Sequence, residues 1–192
     1  VYKRQHFKSV NSAIIRDIPS TSLVTLSLNL RNTCDIAGIL SKIREQKVKN
    51  SGREGAADTD VILPVLKPGH YIHGPRTVVH VIEKRADRYD FDDSMVCDVF
   101  NNELERLCRR GGSCSFGIGI LHNVNRFLAS GVKETVEDKV SGNNVDIRHV
   151  SSCHSAEYPA VIVLHDFSDV RDVSPLYLMI SRGRVYCTVI LF

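Results

Sequence analysis

The sequence predicts an α/β domain with a largely parallel sheet flanked by helices, and three observations predict it. Segments with an apolar residue at every second position alternate with segments whose apolar residues recur at i, i+3, i+4 and i+7, almost from end to end. One run, Ala160–Leu164, is apolar throughout, as expected of a central parallel strand covered on both faces. The 192 residues suffice for one domain and little more.

Val24, Leu26, Leu28 and Leu30 alternate with Thr25, Ser27 and Asn29, which predicts a strand. Arg31-Asn32-Thr33 is a polar break with capping residues. Ile36, Ile39, Leu40 and Ile43 then mark one face of a helix ending near residue 46. Residues 47–60, rich in Gly, Ser, Lys and Asp, predict an exposed loop, and Val61–Leu66 is a short apolar run. Pro68-Gly69 and Gly74-Pro75 bracket a turn or loop around His70-Tyr71-Ile72-His73. Val78–Ile82 is β-branched and reads as a strand. Val96, Phe100, Leu104 and Leu107 mark a helix stopped by Gly111-Gly112. Phe116–Leu121 is a strand, and Val124, Phe127, Leu128 and Val132 a helix. After a turn at Gly142-Asn143-Asn144 come a strand at Val145, Ile147 and His149 and the central strand at Ala160–Leu164. Ser174-Pro175 starts a short helix, with Pro at its first position, and Val185–Leu191 is the closing strand. In such sheets ligands gather at the carboxyl ends of the strands, where Arg31 and Glu157 are expected.

Composition narrows function mainly by exclusion. Hydrophobic residues are 43% and charged residues 24%, which excludes a disordered tail. No apolar run approaches ~18 residues, so no bilayer-spanning segment is expected. The net charge of +3, with both signs interspersed, permits nucleic-acid contact without arguing for it. Trp is absent and Phe and Tyr are few, which argues against stacked aromatic platforms. Six cysteines without C-x-x-C spacing read as reduced, buried thiols of an intracellular, cytoplasmic or nuclear protein. Val1-Tyr2-Lys3-Arg4-Gln5 resembles a translated sequencing adapter, so residues 1–5 are set aside. Residues 6–22 then read as a linker from a missing upstream domain and 23–192 as the domain itself.

Three segments carry candidate chemistry: Leu26-Ser27-Leu28-Asn29-Leu30-Arg31-Asn32-Thr33, Ala156-Glu157-Tyr158-Pro159-Ala160-Val161-Ile162-Val163 and Leu176-Tyr177-Leu178-Met179-Ile180-Ser181-Arg182-Gly183-Arg184. In this order they resemble motifs IV, V and VI of the second RecA-like domain of superfamily 1 helicases of the UvrD and Rep type. Phe116–Leu121 is similar to the strand between motifs IV and V. The Gly-His-x-x-x-Gly segment around His70 is similar to schlafen-like helicase regions. The chain departs from the family pattern twice. Ser155-Ala156 stands where motif V has Gly-Leu, and Gly183 stands where motif VI has Ala on a short helix, a change that would weaken such a helix by about 1 kcal/mol.

The resemblance implies a RecA-like fold of the P-loop NTPase superfamily and a part in ATP-dependent helicase activity. Arg31 and Arg182 would be the catalytic arginines, reaching ATP on the preceding domain. Arginine suits this role because its planar, permanently charged fork binds phosphate oxygens in pairs. Asn29 and Glu157 would contact the nucleotide, with Glu157 accepting hydrogen bonds from the ribose. Ser152 and His154, in the loop 151–155, would lie near single-stranded nucleic acid. The sequence contains no G-x-x-x-x-G-K-[ST] phosphate loop, and Gly131-Val132-Lys133-Glu134-Thr135 echoes one only superficially. Phosphate cradle and Mg2+ site would therefore belong to the missing domain, no metal ligand is expected here, and the fragment alone should not hydrolyse ATP.

Simpler readings stand beside these. Arg31 could cap a surface turn, Arg182 and Arg184 could form a solvated helix end, and Glu157 could be an ordinary loop carboxylate. His70 and His73 have H-x-x-H spacing without further ligands nearby. Cys153-His154 suggests a thiol and base, but adjacent side chains usually diverge. Gly117-Ile118-Gly119 reads as close backbone packing in a strand. The alternative function is a catalytically silent helicase-like nucleic-acid-binding or scaffold module of an immune-type protein.

Overall fold

A computed structural model describes residues 28–29, 31–51, 67–68, 71–82, 93–110, 117–124, 126–139, 144–167 and 173–192. The expected strand at Val24–Leu30 is described only at β1 (Leu28–Asn29), which pairs in parallel with β2 (Lys67–Pro68). Val61–Leu66, His70, Gly111-Gly112, Phe116 and Gly142-Asn143 lie outside the described residues. The other elements are α1 (Cys34–Ser51), β3 (Val78–Val81), α2 (Asp93–Arg110), β4 (Ile118–His122), α3 (Arg126–Lys139), β5 (Val145–His149), β6 (Tyr158–His165), α4 (Ser174–Ile180) and β7 (Gly183–Leu191).

β3 to β7 form one sheet in the order β3-β7-β6-β4-β5, every pair parallel. β6 is central, and its side chains divide by parity between two cores. Ala160, Ile162 and Leu164 join Val96, Phe100, Leu104 and Leu107 of α2 and Val132 and Val136 of α3. Val161 and Val163 join Ile36 and Leu40 of α1 and Leu176, Met179 and Ile180 of α4. Each fully buried Leu, Ile or Phe here contributes roughly 1.5–3 kcal/mol. A parallel sheet with helices on both faces is the expected α/β class.

One polar network enters the first core. Glu103 of α2 accepts from Arg106 Nε at 2.8 Å and from Thr188 Oγ1 of β7 at 3.2 Å, and His80 Nε2 of β3 lies 3.1 Å away. Burial pushes the Glu103 carboxyl up, but Arg106, with His80 and Thr188, holds it net below its ordinary value.

Four local expectations are corrected. α1 runs to Ser51, so residues 47–51 are helix and not loop, in keeping with the helix-forming Gln46-Lys47-Val48-Lys49. Val124 precedes α3 instead of lying on it. Gly183 opens a strand, so it weakens no helix. A Cβ there would meet Val161 Cγ2 at 2.7 Å, and only glycine fits this approach without displacement. Cys108 is disulfide-bonded, whereas Cys34, Cys97, Cys153 and Cys187 are in no disulfide, and of these only Cys153 and Cys187 are buried. Gly119 agrees with close backbone packing, because a Cβ there would run into the Tyr158 ring.

Candidate functional site at the amino edge of the sheet

Three short segments meet where β6 and β7 begin. Residues 31–33 lead into α1, residues 153–157 lead into β6, and residues 181–184 carry the chain from α4 into β7. Backbone groups join them. Asn32, 2% exposed, donates its side-chain amide to Gly183 O and, at 3.4 Å, to Ser181 O. Thr33 N donates to Arg184 O at 3.1 Å, and Tyr158 N donates to Arg182 O at 3.0 Å. The segment 71–77 braces the same corner. Cys34 N donates to Ile72 O at 3.0 Å, and Gly74 N donates to Asp35 Oδ2 at 3.1 Å.

These joints bring arginines together. Arg31 Nη2 lies 2.8 Å from Glu157 Oε1, and Arg184 donates through Nε at 3.1 Å and through Nη2 to Oε2 of the same carboxylate. Arg182 donates from Nη1 to His154 O at 2.6 Å and from Nη2 to Ser181 Oγ at 3.1 Å. The Arg184 hydrogen bonds hold the Glu157 carboxyl below its ordinary range, aided by the charges of Arg31, Arg184 and Arg182, while desolvation opposes them. Side-chain exposures of 48% for Arg31 and 57% for Arg184 leave both guanidinium groups reachable from solvent.

The placement differs from expectation in two respects. Glu157, Arg182 and Arg184 lie at the amino ends of β6 and β7, not at carboxyl ends. Arg31 does follow the carboxyl end of a strand, but β1 belongs to the separate two-stranded pair. Ser181–Arg184 also lie beyond α4, so neither Arg182 nor Arg184 is helical. The physical reason is the same throughout: the chain reaches this edge through tight turns entering strands, and the turn residues crowd there.

Of the other expected residues, Asn29 is described only as backbone in β1. Ser152 and His154 are exposed in the loop after β5, and Ser152 Oγ donates to His149 O at 2.9 Å. Cys153 is fully buried, its thiol pushed up by burial and donating to Val150 O at 3.2 Å, which is the state of an inert thiol and not a nucleophile. His73 Nδ1 lies 3.6 Å from Asp35 Oδ2, and among the described residues no group of three or more His, Cys, Asp or Glu could hold a metal. No described helix is long and apolar enough to cross a membrane.

Two residues were absent from the expected site. Arg184 supplies a guanidinium, and Asn32 ties the first segment to the third. The repeat of Arg182 at i+2 was a visible signal for Arg184. Asn32 carried none beyond its place in a polar break, because its partners are carbonyls 149 and 151 positions away.

No family model matches the chain, and no curated protein matches it. Among solved structures, one similar chain is the C-terminal domain of a possible DNA helicase from Lactobacillus plantarum WCFS1. It is 10% identical, with 83% of this chain and 86% of that chain covered and a TM-score of 0.49. The functional reading rests on the residues of the rim.

Proposed function

We propose that the chain is the C-terminal RecA-like domain of a superfamily 1 helicase or helicase-like nucleic-acid-dependent ATPase, whose amino rim supplies arginines to ATP carried by a preceding RecA-like domain. The observation that carries this reading is the gathering of Arg31, Arg182 and Arg184 on one rim, although Arg31 and Arg182 are 151 positions apart. The donor set suits an anion. Arg31 and Arg184 are reachable from solvent, and carbonyl, hydroxyl and carboxylate partners orient the three forks before a ligand arrives.

In this reading Arg31 and Arg182 bind the terminal phosphate and offset the charge that develops there during transfer. Asn29 and Glu157 take the sugar side, and Ser152 and His154 meet a single nucleic-acid strand. Mg2+ belongs to the preceding domain and neutralises phosphate charge when bound. Closure of the rim over the nucleotide excludes water and couples binding to movement along the strand.

The test joins the chain to its preceding domain and measures nucleic-acid-stimulated ATP turnover. Arg182→Ala is expected to lower turnover roughly a thousandfold, and unchanged turnover would remove Arg182 from the site. Ser155-Ala156, in place of the family's Gly-Leu, favours a second reading, a silent nucleic-acid-binding or scaffold module. Salt-sensitive single-strand binding without turnover would select it.

A further inference from the structure

We propose that Glu157 is an internal stand-in for phosphate: it occupies the forks of Arg31 and Arg184 while no polyphosphate is bound and must leave them for one to enter. This rests on the arginine rim of the reading above and takes the place of the ribose role given there to Glu157. Each carboxylate oxygen takes one arginine, Oε1 for Arg31 and Oε2 for Arg184. A phosphoryl group binding either fork would place its oxygens where those of Glu157 now lie. The rim keeps Glu157 ionised, so it competes across the whole neutral range.

Its side chain is 25% exposed, so the exchange replaces one solvated ion pair by another and opens no buried gap. Arg182 is held differently. Among the described residues its partners are His154 O, Ser181 Oγ and Leu178 O, all neutral, with no described carboxylate on its fork. Arg182 is thus the first landing point for an incoming anion, and Arg31 and Arg184 follow as Glu157 withdraws. Until then the carboxylate keeps the two arginines oriented and screens the rim from stray phosphate and nucleic-acid backbone.

The stand-in role and the ribose-acceptor role make opposite demands. A ribose acceptor, once removed, weakens nucleotide binding and leaves inorganic polyphosphate alone. A stand-in, once removed, tightens both. The experiment is equilibrium binding of inorganic tripolyphosphate to the full 192-residue chain. Glu157→Gln is expected to tighten binding about tenfold. Glu157→Asp, which keeps the charge but retracts it by one methylene, is expected to fall between wild type and Glu157→Gln. Glu137→Gln removes an exposed carboxylate from α3 and is expected to change binding less than twofold.

Equal or weaker binding by Glu157→Gln overturns the proposal, and so does equal tightening by Glu137→Gln, which would mark a net-charge effect. Arg31→Ala and Arg182→Ala in the Glu157→Gln background are expected to abolish the gain. If these changes leave tripolyphosphate binding untouched, the arginine rim is not a phosphate site and the proposed function falls as well. If they weaken binding while Glu157→Gln alone brings no gain, only the stand-in role falls.

Discussion

Glu103 and Glu157 each take two nitrogens of one arginine, and their surroundings give them opposite characters. Glu103 sits between α2 and the sheet, its side chain 9% exposed, with Arg106, Thr188 and His80 around it. Glu157 sits on the amino rim, 25% exposed, between Arg31 and Arg184. Both carboxyls are held below their ordinary value by arginine partners. The buried carboxylate cannot leave without stranding Thr188, which is buried, while Arg106 and His80 reach water only in part. The rim carboxylate can, because water or another anion takes its place. The same ion-pair chemistry is therefore a fastener in the core and an exchangeable contact at the edge.

The largest expected effect breaks the buried member. Glu103→Ala should lower the unfolding free energy by about 2–3 kcal/mol, read by urea denaturation. That is less than for a fully enclosed pair, since Arg106 is 29% exposed and can turn to water. Glu157→Gln should leave the denaturation midpoint nearly unchanged. An equal loss at the two sites would erase the distinction.

Gly183→Ala tests the joint between rim and core. Its Cβ would press on Val161 in the second core, while the Gly183 carbonyl accepts the Asn32 amide. A loss of about 1–3 kcal/mol is expected by the same denaturation measurement. Wild-type stability in Gly183→Ala would show that the approach is looser than its geometry indicates.

Acid sharpens the comparison further. A depressed carboxyl stabilises the fold above its unfolded value, about pH 4.3, and that stability is lost as pH falls through the native value. The gap between wild type and Glu103→Gln should therefore be full at neutral pH and narrow below about pH 4.3. It should persist in high salt, while any effect of Glu157→Gln on stability should vanish there.

The smallest effect concerns His122, buried at the carboxyl end of β4 and lowered by burial and then by the charge of neighbouring His149. A lowered histidine stabilises above its unfolded value and costs stability below about pH 6.5. His122→Gln should flatten the stability profile below about pH 6.5 by the same denaturation series. An unchanged slope would place the acid sensitivity elsewhere.

Much of the fold was legible because its signals are local. The i, i+4 spacing of Val96, Phe100 and Leu104 named a helix face, and all three are buried. The unbroken apolar run at Ala160–Leu164 named the strand with a core on each side. Helix ends were less legible, since residues 47–51, mostly polar, continue α1 past its apolar stripe, and helix-forming lysines are equally common in loops. At the candidate site, Arg31, Arg182 and Glu157 stood out through the likeness of their segments to helicase motifs IV, V and VI. The joining amide of Asn32 did not, because nothing local distinguishes a polar turn residue from one bonded across the molecule.

The sequence alone determined the alternation of strands and helices, the two-sided burial of the central strand and the charged turns beside it, because side-chain periodicity acts over a few residues. Only the tertiary structure decided the strand order, placed the arginines at the amino edge and set Glu157 between two of them. Those outcomes depend on hydrogen bonds closed across some 150 residues, such as Asn32 to Gly183. Whether such a bond can form is settled by where the whole sheet puts its ends, and no short stretch of sequence encodes that.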